Sequence, residues 1–134
     1  MREGDSVSPA VAAIIAFVRA VPATRVILDQ HVATNHEIVP QLLMADLRHF
    51  VVSVVAANER VLLADLLTEI ERLASSDDRG IRDLVETGFI GELVRGSSHE
   101  RRAVEAIRDL VGPATGEALR VCERQYHAGP GPGG

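Results

Sequence analysis

Asp46 and His49 stand three residues apart in a segment of helical period, so one helix face presents both. A carboxylate and an imidazole in that relation can share a metal ion or a proton, and dimetal bundles place several such pairs on facing helices. No second pair follows here, because His31, His36, His99 and His127 have no acid three residues before them. Glu123 and His127 are i,i+4 neighbours, but they lie near the chain end. Cys122, the single cysteine, falls on the apolar side of a helix with Leu119 and Tyr126. A nucleophile needs a base beside it, and His127, five residues on, points elsewhere around the helix. Gly-rich phosphate loops, zinc-ligand spacings and nucleophile elbows are absent from the sequence. The expectation is no enzyme, no metal and no cofactor. Asp46 and His49 are left as polar groups for a ligand pocket between apolar helices.

Charge carries the second candidate. Between Glu59 and Glu92 nine acids face four arginines, a net −5, while the rest of the chain balances ten against ten. Helical spacing puts Asp65 with Glu69, and Asp83 with Glu86, on the same side of their respective helices. All four are expected on one exposed face, shaped to attract a basic protein partner. The plainer reading of the same residues is a solvated face that keeps the protein soluble.

These groups need a scaffold, and the periodicity predicts one built from helices alone. The central rod is Glu37 to Val55, with Val39, Leu43, Leu47, Phe50, Val51, Val54 and Val55 on one face. Phe50 to Val55 is β-branched enough to pass for a strand, but the helical period runs through it without a turn signal. Pro40 suits the rod's first turn, Asn35 is placed to cap it, and Asn58 marks its end and caps the next helix. Around it the pattern predicts helices from Pro9 to Ala20, Ala23 to Val32, Glu59 to Ala74, Arg79 to Arg95, Ser98 to Gly112 and Pro113 to about Tyr126. Gly88 and Gly91 inside Arg79 to Arg95 predict close approach of a neighbouring helix. Glu59, Leu62, Leu63, Leu66 and Ile70 align at an offset of 41 with Glu100, Ala103, Val104, Ile107 and Val111. That offset suits stacked, HEAT-like pairs. The expected fold is all-α, with six or seven helices packed as antiparallel hairpins. Residues 1–127 make the single domain, with a frayed start to Val7, and 128–134 form a disordered Gly/Pro tail.

Composition narrows the function classes. With 134 residues the chain is one domain able to bury about two thirds of its unfolded surface. Phe17, Phe50, Phe89 and Tyr126 are its only aromatics, too few to stack the bases of a single strand. A net charge of −5 likewise opposes binding to a phosphate backbone. Every basic side chain is arginine. One cysteine forms no internal disulfide, which suits a reducing, cytoplasmic setting. The apolar run Ala10 to Val18 is acidic rather than basic on its N-terminal side, against a signal peptide, and is far short of a membrane span.

Three segments carry a resemblance. They are Val39-Pro40-Gln41-Leu42-Leu43-Met44-Ala45-Asp46-Leu47, then Ile81 through Leu93 (IRDLVETGFIGEL), and Gly112-Pro113 leading into Glu117-Ala118-Leu119-Arg120. Over roughly residues 25 to 125 the chain resembles a family of short bacterial all-helical proteins without an assigned activity. Such families are similar to immunity proteins, which bind and block a secreted toxin. The resemblance implies stoichiometric protein binding and no catalytic residues.

Overall fold

A computed structural model describes residues 8–128, with the backbone alone at His127 and Ala128. The expected frayed start lies outside the described residues, as does the Gly/Pro tail after Ala128. Seven helices and no strand make up the described chain: α1 Pro9–Ala20, α2 Arg25–Asn35, α3 Pro40–Ala56, α4 Arg60–Ala74, α5 from Arg79 to Val94, α6 Ser98–Ile107 and α7 Pro113–Ala128. The all-α expectation holds, and so do most of the boundaries.

Local signals set those boundaries. Ser8 Oγ accepts the Val11 N–H at 3.1 Å to start α1. Pro22 breaks the chain into a one-turn 3-10 helix, Pro22–Thr24, and the path turns by 117° into α2. At the end of α3 Asn58 adopts φ 58°, while Glu59 and Asn58 donate back to the carbonyls of Val54 and Val55. This left-handed C-terminal motif makes Asn58 the stop of α3, and Glu59, not Asn58, stands in the cap position of α4. Asp78 Oδ1 accepts the Ile81 N–H at 3.0 Å ahead of α5. Ser97 and Glu100 form a reciprocal capping box on α6. Asn35, expected to cap α3, is instead the last residue of α2.

α3 is the rod the sequence indicates. Leu43, Met44, Leu47, Val51 and Val54 are buried along it, and α1, α2, α4, α5 and α6 all meet it. Phe50, expected inside, is half-buried at the edge of the stripe. In a solenoid each unit touches only its neighbours. Here α1 also reaches α4 and α5, and α4 reaches α7, so the helices gather round one rod. The 41-residue offset aligns two helices that both pack on α3. Their matched residues hold different helical positions, since Glu59 precedes α4 and Glu100 lies inside α6.

α5 widens in its middle. Leu84–Ile90 is a π segment, closed by the Gly91 N–H donating to the Glu86 carbonyl five residues back. A Cβ on Gly91 would stand 2.9 Å from that carbonyl oxygen, so the wide turn requires glycine there. Gly88 faces α3, where an added Cβ would meet Met44 Cβ at 3.4 Å. The helix contact expected at Gly88 is therefore present.

A longer link holds α7. Glu71 on α4 accepts the N–H groups of Ala114 and Thr115 at 2.9 and 2.8 Å and the Thr115 hydroxyl at 2.8 Å. One carboxylate thus satisfies the open backbone donors of a helix more than forty residues away. Gly112 makes room for it, since a Cβ there would fall 2.5 Å from Glu71 Cδ. Burial alone would raise the Glu71 pKa, but the hydrogen bonds from Thr115 and Ala114 outweigh it and hold the carboxyl below its ordinary value.

Two outcomes follow. Leu47→Ala should cost about 2–5 kcal/mol in denaturant unfolding, and a loss under about half a kcal/mol would place Leu47 outside the core. Because the folded pKa of Glu71 is lowered, its contribution is whole above the unfolded value near 4.5 and is lost as pH falls toward the folded one. Glu71→Gln should therefore cost about 1–3 kcal/mol at neutral pH and much less under acid. A gap to the parent that does not change with pH would contradict the charged cap.

Candidate functional site

α2 buries one residue of its eleven, His31. The imidazole is 1% exposed, and its Nε2 accepts the Val39 N–H at 2.9 Å, at the start of α3. A ring nitrogen that accepts a hydrogen bond carries no proton, so the ring hydrogen sits on Nδ1. Asp46 Oδ2 stands 3.4 Å from that nitrogen. The Asn35 amide nitrogen is also near Nδ1, at 3.3 Å, but it is a donor and serves the His31 carbonyl at 2.9 Å. Two accepting ring nitrogens would make the imidazole an anion, so Nδ1 keeps its hydrogen and the Asp46 carboxylate is the anion that faces it, at ion-pair distance.

Spacing leaves Asp46 and His49 each open to bonding the other or nearby Arg48 within α3; His49 meets Arg48, while Asp46 faces His31 across the helices. A buried N–H left without an acceptor is costly, whereas the exposed His49 has water to bond. His49 Nε2 lies 3.3 Å from Arg48 Nη2. The His31–Asp46 couple has the outline of a hydrolase dyad, but the Val39 N–H occupies the nitrogen that would move a proton. Its work is to fasten α2 across the start of α3. Sequence reasoning passed over His31, although Ile27 and Leu28, four and three residues before it, place it on the inward face of α2.

Between these helices lies a cleft of about 630 Å³. Ile27, Leu42, Ala45 and Phe50 supply its apolar wall, and Gln30, Thr34, Asp46 and His49 its polar one. The two residues singled out for a ligand pocket do border one, as separate groups. A second cleft of about 370 Å³ runs along the other flank of α2, against Ile15, Val18 and Arg19 of α1. α2 is therefore a ridge between two clefts.

The four acids expected on one exposed face do not all reach the surface. Glu69 is buried, and Arg72 binds both its oxygens at 3.0 and 3.2 Å. It falls between Leu66 and Leu73 on the apolar side of α4, and only a paired charge is stable there. Asp65, Asp83 and Glu86 are exposed. Asp83 borders a cleft against Gln41 and Arg48 of α3, whereas Glu86 lies close enough to α7 to act on Cys122. Arg48 turns away from Asp46, with its Nε 3.7 Å from Glu100 Oε2 on α6.

Cys122 is half-buried and donates to the Glu86 carbonyl at 3.4 Å. Burial first, and then the Glu86 charge, push its thiol pKa up, the opposite of what a nucleophile needs. Tyr126, expected beside it on the apolar side, is 47% exposed. Glu123 bonds Arg108 at 2.8 and 3.0 Å, and the side chain of its expected neighbour His127 lies outside the described residues. Among the described residues no three His, Cys, Asp or Glu side chains gather as a metal site, and no single helix is long and apolar enough to cross a membrane.

Comparison with family models, with curated proteins and with solved structures finds no match to this chain. Its functional reading rests on its own geometry.

The fastening has a measurable consequence. His31→Leu fills similar space but leaves the Val39 N–H without an acceptor, and should cost about 1–3 kcal/mol in urea unfolding. Asp46→Asn keeps an oxygen for the Nδ1 hydrogen and should cost less than about 1 kcal/mol. A His31→Leu protein as stable as the parent would remove the link between the helices.

Proposed function

We propose that the chain is a stoichiometric protein-binding module of the immunity-protein kind, occupying and blocking a cognate bacterial toxin, with α2 as its docking ridge. One observation carries the reading. α2 buries a single residue, while Val26 and Val32 on it and Leu42 beside it remain 56%, 37% and 51% exposed. Apolar side chains gathered on one raised element, with a cleft along each flank, suit a surface that another protein covers. The net charge of −5 favours a basic partner, and the exposed Asp65, Asp83 and Glu86 would speed its approach rather than form the contact. A lone thiol that forms no internal disulfide suits action in the cytoplasm.

A toxin-like protein encoded beside the gene for this chain is required by this reading, and the test uses that protein. Wild-type protein should form a one-to-one complex with it on size exclusion and suppress its toxicity. Val26→Glu combined with Val32→Glu should leave the fold intact, since both side chains face water, and weaken the complex at least a hundredfold. Asp65→Arg with Asp83→Arg should slow association several-fold at low salt and hardly alter dissociation. Undiminished binding by the valine double variant would move the docking face off α2.

A further inference from the structure

We propose that the cleft between α2 and α3 binds a small organic cation, an ammonium or guanidinium group on a short apolar stem, with Asp46 as its counter-ion. The inference stands apart from the protein-binding reading. It starts from the charge of Asp46. One carboxylate oxygen faces His31 Nδ1 at 3.4 Å, and that imidazole is neutral because its other nitrogen accepts the Val39 N–H. The contact therefore does not cancel the charge of the carboxylate. Arg48, the arginine of α3, sets its Nε 3.7 Å from Glu100 and its Nη2 3.3 Å from His49, and Arg25 of α2 is paired with Asp29 at 3.3 Å. Neither answers Asp46, whose second oxygen has no recorded partner among the described residues and whose side chain is 48% exposed.

The surroundings set the rest of the ligand. Ile27, Leu42 and Phe50 form an apolar wall within the same 630 Å³, room for a small molecule and its stem. Gln30 and Thr34 are uncharged polar groups that can accept further N–H donors. A single negative charge beside an aliphatic and aromatic wall is complementary to an amphiphilic cation. It repels a carboxylate or phosphate of the same size. Such a pairing gains from a charge-assisted hydrogen bond as well as from the covered apolar surface.

The probes are n-butylguanidinium, n-butylammonium and, as the anionic counterpart, butyrate, added at constant ionic strength and followed by amide NMR shifts. Both cations should give saturable shifts at Gln30, Thr34, Asp46 and His49, and butyrate none. Asp46→Asn retains the His31 contact and should bind the cations about tenfold more weakly, consistent with loss of a charged hydrogen-bond partner. Leu42→Ala should weaken binding several-fold without altering the preference for cations. Equal shifts with butyrate, undiminished binding by Asp46→Asn, or the absence of any saturable change would each overturn the proposal. Tighter binding of a capped Ala-Arg-Ala peptide than of n-butylguanidinium would overturn the assignment to a free molecule and give the cleft to a partner's side chain.

Discussion

The start of α3 has no side-chain cap of its own, and the imidazole of His31 stands in for one. A helix end leaves backbone N–H groups that must find acceptors, above all where the end is covered by another element. In this chain several of those acceptors come from elsewhere. His31 reaches from α2 to Val39, and Glu71 from α4 to Ala114 and Thr115. Glu100 completes the cap of α6 while facing Arg48 of α3. Each fixes a pair of helices at a point, and apolar burial along α3 supplies the rest. The Ser97 hydroxyl and N–H, with the Arg48 charge adding to them, hold Glu100 below its ordinary pKa, so this anchor too is an ionised one.

That division explains what was legible in the sequence. Ser8, Asp78 and the Ser97–Glu100 box act within three residues of themselves, so spacing reveals them. The apolar period likewise marks Leu43, Leu47, Val51 and Val54 as core without any partner being named. Glu71 acts on residues 43 and 44 positions away, and no local pattern ties a helix-face glutamate to that distant end. The π turn of α5 is similarly hidden, because Gly91 reads as a mere interruption until the Glu86 carbonyl is seen against it.

The site residues divide along the same line. Asp46 and His49 border a cleft as their types suggest, and of the bonds that spacing left open to them the one from Arg48 to His49 is present, but spacing said nothing of His31. Glu69 was legible in principle, since it follows Leu66 by three and precedes Leu73 by four. Counting charges along the chain hid that, and the exposed acids are fewer and more divided than their number implies. What remains for function is geometry: a lightly buried helix raised between two clefts, held at its C-terminal end by one histidine. The imidazole that seats α2 also faces Asp46 at the cleft, so the binding surface and the fastening share one side chain.

The tautomer of His31 tests this most directly. At neutral pH, imidazole 15N shifts and long-range ring couplings report which nitrogen carries the proton, free of any effect of mutation. The account predicts a neutral ring with the proton on Nδ1 and an unprotonated, hydrogen-bonded Nε2. A ring protonated at Nε2, alone or together with Nδ1, would contradict it, because no acceptor would then exist for the Val39 N–H and the hydrogen bond that fastens α2 to α3 would be absent.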